Sequence, residues 1–111
     1  MPIHEFDTWH RELDLPVYVS NHPTYTKVHD ELIQELMEAC SIVRTYYHSY
    51  NRFRFGLCYH GITIIPNESL PHLYEIVIES QSFIHAEELN DLATLILSAQ
   101  REGKDVVHFG I

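Results

Sequence analysis

Two hydrophobic periods alternate along the chain, and the expected elements follow from where one replaces the other. From about Tyr25 to Ser49 there is no Gly or Pro. At helical steps, Tyr25, Val28, Leu32, Leu36, Ala39, Val43, Tyr46 and Tyr50 fall on one stripe, widened by Ile33, Met37, Cys40 and Tyr47. Asp30, Gln34, Glu38, Ser41, Thr45 and His48 face the other way. So wide an apolar arc predicts one long helix packed on a sheet or on a second helix. His29 lies near the middle of that arc and is expected as a buried, hydrogen-bonded core histidine. Asn51 ends the helix.

The period then changes to two. In Arg52–His60, Phe53, Phe55, Leu57 and Tyr59 share one face, and Arg52, Arg54, Cys58 and His60 the other. Gly61 separates this run from Ile62–Ile65, and the pair reads as two strands. Pro66–Ser69 is a turn. Ser69 as cap and Pro71 in the first turn favour a helix over about 70–80, against a competing strand over Leu73–Glu79. A clearer helix runs from about Ala86 to Glu102, with Leu89, Leu92, Ala93, Ile96, Leu97 and Ala99 inward and Gly103 as C-cap. Asp105–Phe109 reads as a terminal strand tied into the sheet. At the N-terminus, Asp7 could cap a short helix over Thr8–Leu13, and Pro16–Ser20 reads as a short strand. The expected fold is one α+β domain over residues 1–111. A small mixed or antiparallel sheet packs against a long central helix and a second, C-terminal helix.

Composition narrows the class. With 111 residues, 45% hydrophobic and 21% charged, the chain is globular and long enough for one core. No apolar run approaches the roughly 20 residues that a spanning helix needs, and the first residues do not resemble a secretory signal. A cytoplasmic location without membrane association is expected. Cys40 and Cys58 read as free thiols.

Charge changes the picture more. The formal charge of −9 divides into −6 over residues 1–38, +3 over residues 39–67, where no acid occurs, and −6 over residues 68–111. Double-stranded nucleic acid is disfavoured by the total. The acid-free island is also the most aromatic stretch: Arg44–Phe55 holds three arginines and, with His48, six aromatic rings. Arginine forks beside flat rings suit a protein hot spot or an anion site. They also suit a packed core whose arginines pair with the chain's own acids. The candidate contact residues are Arg44, Tyr47, His48, Tyr50, Arg52, Arg54 and His60.

No P-loop, G-x-G-x-x-G, G-x-S-x-G, C-x-x-C or H-E-x-x-H pattern is present. The nine histidines show no metal-ligand spacing within a clear helix. Cys58 and His60 share a strand face, and His108 would have to join them from another strand to make a site. No catalytic residue, metal or cofactor is assigned. The chain therefore reads as a small cytoplasmic interaction or regulatory protein, with a protein partner or a second copy of itself meeting the surface around residues 44–60. The alternative is a binding protein or enzyme for a phosphate- or carboxylate-bearing small molecule, held by Arg44, Arg52 and Arg54. A further reading takes the acidic flanks as a negative face for a basic partner.

Overall fold

The stretch from Tyr25 to Ser49 does not form one long helix. It folds as a strand, β2 (Thr26–His29), an 11-residue helix, α1 (Asp30–Cys40), and a strand, β3 (Arg44–Tyr47). The β-branched and aromatic residues at its two ends explain the correction. Thr26, Val28, Thr45, Tyr46 and Tyr47 favour a pleated surface, and neighbouring strands are present to take up their backbone groups. Helix α1 closes where the Ser41 N–H and hydroxyl both donate to the Glu38 carbonyl. The longest helix is instead the C-terminal one, with 16 residues.

The computed structural model describes residues 2–12, 16–19 and 22–111. The remaining elements are β1 (Ile3–Trp9), β4 (Phe53–Phe55), β5 (Ile62–Ile65), a 3-10 turn (Asn67–Ser69), α2 (Leu70–Glu79), α3 (Glu87–Glu102) and β6 (Asp105–Phe109). The six strands form one antiparallel sheet in the order β2-β1-β6-β5-β3-β4. The α+β class is as expected. No helix among the described residues is long and apolar enough to cross a membrane.

Smaller expectations divide. Residues 70–79 are helical, and Gly103 ends α3 in the left-handed conformation at φ 67°. The terminal strand lies in the sheet interior between β1 and β5. Ser69 does not cap α2; its hydroxyl donates to the Arg44 carbonyl. Thr8 and Trp9 belong to β1 rather than to a short helix, and Leu13 lies outside the described residues. Residues 16–19 form no strand, and Ser20 lies outside the described residues. The run over Arg52–His60 is strand only at Phe53–Phe55, because Gly56 turns the backbone at φ 77°. β4 and β5 are not paired with each other; β3 lies between them.

Cross-strand register sorts the side chains into two faces. Phe6, Val28, Ile65 and Val106 point to the helical layer and pack with Ile33, Leu36, Leu70, Val77, Leu89 and Ile96 in the main core. The opposite face carries Val107, Phe109 and Ile64, all buried but outside the main core. Tyr18 and Tyr25 lie over Phe109, with ring centroids 5.2 and 5.4 Å away.

Candidate functional site

The β3–β4 hairpin carries most of the candidate residues. Its register pairs Arg44 with Phe55, Thr45 with Arg54 and Tyr46 with Phe53. Arg44, Tyr46, Phe53 and Phe55 therefore share the outer face, while Arg54 lies on the helix-side face with buried Thr45. Phe53 and Phe55 meet edge to face at 5.2 Å, and Tyr46 adds a second such contact at 5.9 Å. The two phenylalanines are 44% and 51% exposed, and neighbouring Ile42 is 66% exposed. Arg44, Arg52 and Arg54 are all exposed. None forms an ion pair with an acid among the described residues. Nor do they form one anion cradle, since Arg44 and Arg54 leave the hairpin on opposite faces.

Two candidates have work inside the fold. β4 is an edge strand, and the bonds from the Tyr47 N–H to the Arg52 carbonyl and from the Gly56 N–H to the Val43 carbonyl set its ladder phase. In that phase the carbonyls of Phe53 and Phe55 point away from β3. The Arg54 guanidinium donates to the Phe53 carbonyl at 2.6 Å, and the Tyr47 hydroxyl to the Phe55 carbonyl at 3.0 Å. Both outward acceptors are thus occupied, which blunts the edge against strand addition. At the other edge, β2, one outward donor is covered. The His29 N–H and Nδ1 both meet Glu88 Oε2 at 2.8 Å. His29 is therefore a half-exposed edge residue rather than a core histidine.

The remaining candidates scatter. The Tyr50 hydroxyl donates to Asp105 at 2.6 Å, and burial together with that carboxylate raises its pKa above the usual tyrosine range. Asp105 also accepts from Arg11 Nε at 3.1 Å and from the Asn67 N–H at 2.7 Å. His48 sits exposed in the hairpin loop with φ 66°. His60 is exposed and donates from Nδ1 to the Ile111 carbonyl at 3.1 Å. The His48 imidazole lies near the Cys58 thiol, across Gly61. A Cβ placed on Gly61 would lie 2.8 Å from Cys58 Sγ and 2.6 Å from the His48 ring.

A buried polar chain runs through the helix-side face at the other end of the sheet. Fully buried His4 meets His108 Nε2 through Nδ1 at 2.8 Å and Asp30 Oδ1 through Nε2 at 2.9 Å. His108 Nδ1 lies 3.2 Å from Thr63 Oγ1, which accepts the Cys58 N–H at 2.7 Å. Asp30 also accepts from the Tyr59 hydroxyl at 2.5 Å and from Gln34 at 2.6 Å. With both rings neutral, one proton order satisfies every atom. The carboxylate accepts from His4 Nε2–H, His4 Nδ1 accepts from His108 Nε2–H, and His108 Nδ1 accepts from the Thr63 hydroxyl. Tyr59 and then His4 hold the Asp30 carboxyl below its usual range. Burial, and then the neighbouring His4, lowers His108 to about 3. Every member is satisfied within the protein, so the chain fixes geometry in the core. Among the described residues no group of three or more His, Cys, Asp and Glu is placed to hold a metal ion.

The helical layer has its own character. Ten of the sixteen acids but only one of the seven bases fall within α1, α2 and α3, so these helices carry a formal charge equal to the −9 of the whole chain. Comparison with family models, curated proteins and solved structures finds no match to this chain.

Proposed function

We propose that this chain is an interaction protein whose β3–β4 hairpin docks a carboxylate-bearing protein surface. The observation that carries the reading is the pair Phe53 and Phe55, packed edge to face and half exposed on one side of an edge strand. Aromatic rings and arginines are the residues that supply most energy at protein contacts. Arg44 on the same face, and Arg52 at the loop end of the hairpin, carry charge that no acid neutralises among the described residues. The guarded β4 edge favours a partner that meets side chains over one that adds a strand. Display selection of random peptides on the immobilised protein tests this. Enriched sequences should combine Asp or Glu with apolar residues and lose binding to Phe55→Ser and Arg44→Glu. Enrichment indifferent to both substitutions overturns it.

A second reading rests on the helical charge. A helical layer of such negative formal charge would attract a basic protein, speeding encounter and excluding acidic competitors. The same selection separates the two readings. Lysine-rich peptides whose binding is lost in Glu35→Lys and Glu79→Lys, but not in Phe55→Ser, would favour the helices.

A further inference from the structure

Glu5, Phe109 and Ile62 lie side by side on β1, β6 and β5, in one cross-strand row of the outer face. Above this row is a cavity of about 480 Å³, walled further by Ile3, Tyr18 and His60. That volume lies within the range of small-molecule sites, which combine mostly apolar walls with a few placed polar groups.

The polar groups here are both acceptors. The Tyr18 hydroxyl donates to Glu5 Oε1 at 2.5 Å. The other carboxylate oxygen, Oε2, is buried and has no hydrogen-bond partner among the described residues. A buried carboxylate oxygen without a donor is costly, and a donor carrying positive charge is the group that best relieves it. His60 supplies the second acceptor. Its Nδ1–H faces the Ile111 carbonyl, which can only accept, so Nε2 is the ring nitrogen not engaged in that bond. Among the described residues, Glu5 has no cationic partner.

From this geometry we infer that the cavity is a binding site for a small organic cation, a primary ammonium attached to an apolar body. The apolar body packs on Phe109, Ile62 and Ile3. The ammonium donates to Glu5 and to His60. The cavity is separate from the hairpin and helical surfaces, so its success or failure leaves the interaction reading untouched.

The test is a titration of 2-phenylethylamine followed by NMR and calorimetry. Phenylacetate serves as the anionic isostere and phenylethanol as the neutral one. The amine should bind, shift the resonances of Ile62, Phe109 and Gly61, and bind at least tenfold more tightly than either isostere. Glu5→Gln, which keeps the side-chain shape and the acceptor for Tyr18, should weaken the amine at least tenfold. Ile62→Trp should block it by filling the cavity. Equal binding of phenylacetate, an unchanged affinity in Glu5→Gln, or no binding of the amine up to its solubility would overturn the site.

Discussion

His4 and His108 meet edge to edge in the core, 5.1 Å between centroids and 13° from parallel, joined through Nδ1 and Nε2 at 2.8 Å. They come from opposite ends of the chain, on β1 and β6. Replacing either by Phe leaves the other with a buried nitrogen and no partner, at a cost of about 2 kcal/mol. Replacing both removes the orphan, so the double variant should lose less than the sum by about 1 kcal/mol. Urea unfolding of the two single variants and the double variant measures this. Strict additivity would show that the pair is not coupled.

The same pair makes the fold acid-sensitive. The folded value of His108, about 3, lies below its ordinary 6.5, so the unfolded chain binds a proton that the folded chain refuses. The stability contributed is complete above pH 6.5 and is lost as pH falls from 6.5 towards 3. The slope over that window is about 1.4 kcal/mol per pH unit. Asp30, also lowered, adds a loss of the same sign below its ordinary 3.8. Denaturation midpoints across this window should fall steadily with acid. In His108→Phe the segment above pH 4.5 should flatten.

Asp105 fastens three segments at one carboxylate that is 2% exposed: the Arg11 guanidinium, the Tyr50 hydroxyl and the Asn67 N–H. Asp105→Ala should cost about 3 kcal/mol, because three donors lose a buried acceptor. Tyr50→Phe removes one bond and should cost about 1 kcal/mol. Thermal unfolding of both separates the hub from its spoke.

Gly110 is required by space. A Cβ there would lie 2.2 Å from the Tyr59 carbonyl oxygen and 2.8 Å from that of Cys58, both backbone. The Gly110 and Ile111 N–H groups hold this loop through the carbonyls of Gly61 and Tyr59. Gly110→Ala should therefore destabilise by about 1–3 kcal/mol and loosen residues 58–61. Hydrogen exchange would locate the loosening.

The edge guards make a prediction about association. Tyr47→Phe with Arg54→Ala frees the outward carbonyls of Phe55 and Phe53, next to two exposed rings. Sedimentation of this variant should become more concentration-dependent than that of the parent chain. Identical behaviour would mean that the two side chains do not protect the edge.

Local pattern made much of this fold legible. Leu89–Ala99 reads as helix because its apolar residues recur at 3.6 and Gly103 follows. Asp105–Phe109 reads as strand because Val106, Val107 and Phe109 favour a pleat. Tyr25–Ser49 reads as one helix because two short strands flank a helix there and their inward residues fall near helical angles. Periodicity does not register a partner strand. The site was less legible still. Tyr47 and Arg54 read as contact residues from composition, yet each is engaged on a carbonyl of the edge strand. No spacing in the sequence links His4 to His108, or Glu5 to Ile62.

By itself, the sequence determined the α+β class, the acid-free aromatic island and the C-terminal helix and strand. These depend on neighbours within a few residues. Only the tertiary structure decided which rings are buried and which arginines share a face. It also decided that the net charge lies on the helices, that His4 finds His108, and that Glu5, beside a cavity, keeps an oxygen without a partner among the described residues. Those relationships depend on strand order and register, which join residues far apart in the chain.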